Sequence, residues 1–150
     1  MGETAARLLD PRAIDLHAHA DDQESAIRLC GQALVGIGAV GPDYIPAMLA
    51  RESSISTYLG EGVAIPHGTV AGKDAVHHDA LAVLRFPDGV DWAGEPVTLC
   101  IAIAARGDAH IGILTELAEI LLDPDRARAL RAATTADELT GLLQPQRETT

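Results

Sequence analysis

Aromatic residues are almost missing from this chain: one Phe, one Trp and two Tyr among 150 residues, against 47% hydrophobic residues overall. The core must therefore be built from Ala, Val, Ile and Leu. Basic residues are also scarce, with 11 Lys plus Arg facing 22 Asp plus Glu and a formal charge of −11. Phosphate backbones and anionic lipid surfaces repel such a field, which excludes nucleic acid and direct membrane association and suits a basic protein partner. Cysteine is limited to Cys30 and Cys100, far apart and without CxxC or zinc-ligand spacing, as expected of two reduced core thiols in a cytoplasmic protein. The residues from Met1 to Asp10 form no apolar signal segment. The longest apolar run, Val97 to Ala105, is far too short to span a bilayer. The sequence has no GxxxxGK[ST], GxGxxG or GxSxG motif, so nucleotide-binding and α/β-hydrolase readings lack their signatures.

What the chain does contain is an alternation of strand and helix signals over a length that fits one domain. It predicts an α/β (α+β) fold: a mixed β-sheet flanked by helices on both faces. Residues 1–12 and 144–150 read as flexible ends, and 13–143 as the domain. Ile14 to Ala18 is a candidate first strand. Asp21 with Glu24 resembles a capping box ahead of Ile27, Cys30, Leu34 and Ile37 at helical spacing, with Gly36 and Gly38 at the stop. A shorter helix over Asp43 to Arg51 accommodates Pro46 only in its first turn. Val63 to Ile65 and Ala80 to Phe86 read as strands, and Val97 to Ala105 as a strand covered on both faces. Asp108 caps a helix carrying His110 in its first turn. Asp123-Pro124 starts the next helix, and Thr135 with Glu138 starts the last, which ends near Leu143.

Six histidines are the polar groups to sort. His17 and His19 flank Ala18 in the first strand and would share a face; without further ligands they are an exposed strand end rather than half a metal site. His77 and His78 are adjacent and read as surface. His67 follows a short apolar strand and Pro66, and precedes Gly68, which lets other groups approach the ring. On this pattern alone a turn histidine without a role is as good a reading as a functional one. His110 lies where helix N–H groups attract phosphate. Arg51 is a favourable cation at a helix C-terminus or a forked donor to phosphate oxygens.

The alternatives narrow once the motifs are taken together. Met48-Leu49-Ala50-Arg51-Glu52, followed by Ser56-Thr57-Tyr58-Leu59-Gly60-Glu61-Gly62-Val63-Ala64-Ile65-Pro66-His67-Gly68-Thr69, strongly resembles the mannitol/fructose-type IIA domain of the bacterial phosphoenolpyruvate-dependent sugar phosphotransferase system. The likeness continues through Lys73-Asp74, Pro87-Asp88-Gly89-Val90-Asp91-Trp92, Ile101-Ala102-Ile103-Ala104-Ala105 and His110-Ile111. The resemblance implies that His67 accepts a phosphoryl group from phospho-HPr as a tele-phosphohistidine and passes it to a IIB cysteine, although the local pattern itself selects neither ring nitrogen. It implies Arg51 and His110 as pocket residues, and Glu61, Gly68 and Thr69 as supporting ones. HPr and the IIB domain of a sugar permease are the implied partners, mannitol the implied sugar alcohol, and no metal or cofactor is needed. The nitrogen-regulatory branch, a module that senses phosphorylation state and binds protein targets, is the alternative. The Asp88-to-Pro96 segment reads as a loop.

Overall fold

Successive side chains of a strand point to opposite faces, and in the two longest strands both sets are apolar. In β4 (Ala80–Trp92), Ala80, Ala82, Leu84 and Phe86 join one core cluster, while Leu81 and Val83 join a second. In β5 (Glu95–Ala104), Cys100, Ala102 and Ala104 take the first side, and Leu99, Ile101 and Ile103 the second. A sheet with two apolar faces needs a helical layer on each.

The computed structural model, which describes residues 8–54, 56–68, 74–105 and 109–143 (backbone only at 109–111), supplies both layers. The first is α1 (Gln23–Gly36) with α2 (Tyr44–Ser54), contributing Ile27, Cys30, Leu34, Tyr44 and Met48. The second is α3 (Ala109–Leu121), α4 (Pro124–Ala132) and α5 (Ala136–Leu143), contributing Ile113, Leu117, Ile120, Leu130, Leu139 and Leu143. Between them lies a five-stranded mixed sheet in the order β1-β4-β5-β3-β2, where β1 is Leu9–Asp15, β2 Tyr58–Gly60 and β3 Val63–Ala64. The pairs β1/β4 and β3/β5 are parallel, and β4/β5 and β2/β3 antiparallel. Both edge strands are poor templates: β1 carries Pro11 and a register break between Leu9 and Ile14, and β2 is three residues long. The α/β expectation with helices on both faces is met.

Several local expectations shift. The first strand begins at Leu9, not Ile14, and ends at Asp15. His17 therefore sits in a turn, its N–H donating to Asp15 Oδ1 at 2.9 Å, and does not share a strand face with His19. The N-cap of α1 is Asp22, accepting from Ser25 N at 2.8 Å, because the Asp21 carboxylate is engaged instead by His19 Nε2 at 3.0 Å. The segment read as a loop over Asp88 to Pro96 is strand. β4 passes a register break between Arg85 and Val90, where Pro87 lacks a ladder donor, and continues to Trp92. It then turns through Ala93 and Gly94, both at positive φ (54° and 97°), into β5. Two left-handed residues between paired Trp92 and Glu95 match the twist of the flanking strands.

Other signals hold. Asp123 caps α4 with Pro124 in the first turn, and Thr135 Oγ1 accepts Glu138 N at 3.1 Å at the start of α5. In return Glu138 Oε1 accepts the Thr134 N–H at 3.1 Å, which holds that carboxyl below its usual range. The Asp108 cap lies outside the described residues. Cys30 and Cys100 are free and buried, and burial, with Cys30 alongside, pushes the Cys100 thiol well above its ordinary value. His77 and His78 are exposed. Among the described residues no helix is long and apolar enough to cross a membrane, and no cluster of three or more His, Cys, Asp or Glu is placed to hold a metal ion.

Candidate functional site

β3 is only two residues long, yet the chain keeps its extended path beyond it. Ile65 N–H donates to Thr57 O at 3.0 Å, Ile103 N–H donates to Pro66 O at 2.9 Å, and His67 bridges to Ile103 in the parallel sense. Pro66 has no N–H to contribute, and its carbonyl is the group that is used. His67 is thereby delivered to the carboxyl end of the β3/β5 pair.

The imidazole is anchored as well as the backbone. Its Nδ1 lies 2.9 Å from Ile65 O. A carbonyl oxygen only accepts, so Nδ1 carries the proton and, in the neutral ring, the lone pair lies on Nε2. His67 is only 9% exposed, so the ring is sunk into the protein and not swinging from a surface turn.

Tyr44 provides the floor of this loop. Its hydroxyl donates to Ile103 O and accepts Gly68 N–H, both at 2.8 Å, bridging the strand to the residue after His67. Burial pushes the phenol above its ordinary value, with the Gly68 bond opposing, so it stays a donor at neutral pH. A Cβ on Gly68 would stand 2.6 Å from Tyr44 Cε1 and 2.9 Å from Cζ. Close approach is thus why glycine follows His67, and the group that approaches is the Tyr44 ring. Gly68→Ala should destabilise by about 1–3 kcal/mol, since a ring tied at its hydroxyl has little room to retreat. Tyr44→Phe should cost about 1–2 kcal/mol, having left Gly68 N–H without its bond. Urea unfolding of both variants measures these values, and a Gly68→Ala midpoint equal to that of the parent would show that the ring yields freely.

Tyr44, Met48 and Arg51 recur at i, i+4 and i+7 of α2 and form one stripe. Tyr44 and Met48 are buried, and Arg51 is half-buried at the end of that stripe, in the last turn. The carboxylate of the next residue, Glu52, accepts four bonds, from Thr57 N, Thr57 Oγ1, Trp92 Nε1 and Gln23 Nε2. His110 lies in the first turn of α3, which follows the carboxyl end of β5, the sheet end that also carries His67. Thr69 lies outside the described residues.

Glu61 is placed elsewhere. Val63 pairs with Leu99 and His67 with Ile103, so four residues, about 13 Å of parallel strand, separate the two ends of this stretch. Glu61 precedes Val63 in a left-handed turn (φ 56°), with Arg131 bonding its carbonyl and pairing with its carboxylate at 3.5 Å. The structure brings Gly68 to His67 and sets Glu61 at the opposite end of the strand. Tyr44 and Glu52 are the site residues that sequence reasoning missed. The Tyr44-Met48-Arg51 stripe was a legible signal for the first; nothing marked the second beyond its place after Arg51.

Fold and site together define a class: a small α/β domain organised around one strand-end histidine whose tautomer is fixed. Residues 7–145 match the model of the phosphoenolpyruvate-dependent sugar phosphotransferase system EIIA 2 family. The chain is 44% identical over 137 residues to a multiphosphoryl transfer protein of Escherichia coli O157:H7, covering 89% of this chain but only 36% of that protein. It is 38% identical to the mannitol-specific phosphotransferase enzyme IIA component of Geobacillus stearothermophilus, covering 91% of this chain and 94% of the relative. Among solved structures it is similar to enzyme IIA-mannitol in the complex with phosphorylated enzyme IIB-mannitol from Escherichia coli. There the TM-score is 0.82 and the identity 39%, over 91% of this chain and 98% of that one. The chain belongs to the EIIA 2 family of the phosphoenolpyruvate-dependent sugar phosphotransferase system.

Proposed function

We propose that this protein is a IIA phosphoryl carrier in a mannitol-type phosphotransferase relay, with His67 as the transient acceptor. The observation that carries the reading is the 2.9 Å contact from His67 Nδ1 to Ile65 O, which commits the proton to Nδ1 and the nucleophilic lone pair to Nε2. Phospho-HPr is the proposed donor. Nε2 attacks phosphorus, the P–N bond to the donor histidine breaks, and the Nδ1 proton stays on the ring, where Ile65 O stabilises the cationic charge that develops. In the second half-reaction a IIB cysteine thiolate attacks phosphorus, the bond to Nε2 breaks, and the neutral ring returns in its original tautomer.

Arg51 is proposed to hold the phosphoryl oxygens with its forked donors. The start of α3, which carries His110, adds positive potential at the same sheet end. Because the electron pair and the proton both stay with side chains of the relay, neither metal nor organic cofactor enters the scheme. The net charge of −11 favours approach of a basic donor surface. Mannitol as the sugar and IIB as the acceptor are supported by the mannitol-specific relative and by the solved complex with phosphorylated IIB.

Incubation with phosphoenolpyruvate, enzyme I and HPr tests the proposal. The expected product carries one acid-labile, base-tolerant phosphoryl group, which leaves on addition of a mannitol IIB domain. A stable phosphoprotein that no IIB domain discharges would point to the regulatory branch.

A further inference from the structure

Glu52 directly follows Arg51 in the last turn of α2, and nothing in the scheme above uses it. An ionised carboxylate only accepts hydrogen bonds, and four donors converge on this one. Oε2 accepts Thr57 N–H at 2.9 Å, Trp92 Nε1–H at 2.9 Å and Gln23 Nε2–H at 3.0 Å, and Oε1 accepts the Thr57 hydroxyl at 2.5 Å. The donors belong to the first turn of α1, the end of β4 and the segment entering β2. One anion therefore pins three separate pieces of chain to the last turn of α2.

What it pins leads to the active ring. Thr57 is buried, and its carbonyl accepts Ile65 N–H at 3.0 Å. The Ile65 carbonyl in turn accepts His67 Nδ1–H at 2.9 Å. Two residues, Thr57 and Ile65, thus connect the Glu52 carboxylate to the imidazole. In the other direction Glu52 is the covalent neighbour of Arg51, within the helical turn that its side chain fastens.

We propose that Glu52 is a positioning residue for phosphoryl transfer: through Thr57 and Ile65 it fixes the tautomer and direction of His67, and through the last turn of α2 it sets Arg51 in register with that ring. This rests on His67 being the acceptor. Charge is part of the device, because bonds to an ionised acceptor are shorter and about twice as strong as neutral ones. Glu52→Gln keeps the shape and removes the charge. Thr57→Val removes the shortest of the four bonds and leaves the carboxylate in place.

The test pairs imidazole ¹⁵N NMR of the unphosphorylated protein with single-turnover labelling from phosphoenolpyruvate, enzyme I and HPr. Asp123→Ala, which removes the distant cap of α4, serves as a destabilised control. In the parent, the His67 signals should report the Nδ1–H tautomer alone. In Glu52→Gln and Thr57→Val, Nε2–H tautomer should appear and labelling should slow by about ten- to a hundred-fold, the scale expected when a reacting group is misplaced. Asp123→Ala should keep the parent tautomer and rate. The proposal is overturned if Glu52→Gln and Thr57→Val keep the parent's ring signals and rate. It is also overturned if Asp123→Ala, at equal loss of stability, slows as much as they do. Should Glu52→Gln not fold, Thr57→Val decides alone. A parent that takes no label at all contradicts the carrier reading instead, and the ring signals still decide whether Glu52 orients His67.

Discussion

His67→Ala is expected to fold and to take no phosphoryl group under conditions that label the parent fully. The effect should be total, because in the proposed scheme His67 supplies the atom to which phosphorus bonds. Its removal leaves Pro66 O on Ile103 N–H and Tyr44 on Gly68 N–H, so the strand path persists without the ring. Intact mass after exposure to phosphoenolpyruvate, enzyme I and HPr reads the result, and circular dichroism checks the fold. Undiminished labelling of the alanine variant would move the acceptor elsewhere, and His110 would then be the residue to change next.

Arg51→Ala should give the second largest effect, a loss of rate and not of capacity. Removing one preorganised donor at a charge-accumulating centre costs about 3–4 kcal/mol, or about 10²–10³ in rate. Arg51→Lys should recover part of this only, since one ammonium cannot reproduce the guanidinium fork. Labelling of Arg51→Ala should still reach one group per protein given time, and a stopped reaction well short of that would assign Arg51 to binding of the donor protein. His110→Ala should likewise become labelled, with the larger defect in transfer to IIB, where charge builds as the group leaves. Single-turnover rates for the two half-reactions separate these cases, and complete failure to label would make His110 inseparable from the acceptor.

The large elements were legible because each is long enough to show its period. The Ile27-Cys30-Leu34 spacing gave α1, and the unbroken apolar run from Val97 gave β5 with its two covered faces. Misreadings fell where local chemistry and tertiary pairing disagree. Pro87-Asp88-Gly89 has the composition of a turn, yet Val90 recovers register with Val97, and a register break absorbs the extra residues. Ala93-Gly94 forms a two-residue hairpin without the usual Asn or Asp before Gly, so nothing announced it. Asp10-Pro11-Arg12 looks like a frayed end, and an edge strand tolerates just such residues, with Arg12 bonded to Asp10 on either side of Pro11.

At the site, the divide is between chemistry and support. His67 and Gly68 stood out through the likeness of the Ala64-Ile65-Pro66-His67-Gly68 run to a known family, since the local pattern alone left His67 undecided. Tyr44 and Glu52 are ordinary residues on a helix, and their bonding partners lie 24 to 59 and, Thr57 apart, 29 to 40 positions away. Pairing over such distances is a property of the folded sheet, not of any window of sequence.

The two outer strands of the sheet carry a last consequence. In the relay proposed above, a carrier that meets one partner to be charged and another to be discharged is exposed, at every encounter, to the risk of lending its backbone to a passing chain. Here Pro11 and a register break spoil one border, and the other offers only Tyr58–Gly60. Neither can template a growing ladder. In that relay recognition would be left to side chains, whose grip can be released as soon as the phosphoryl group has moved, and the domain can be abundant without stacking on its own kind.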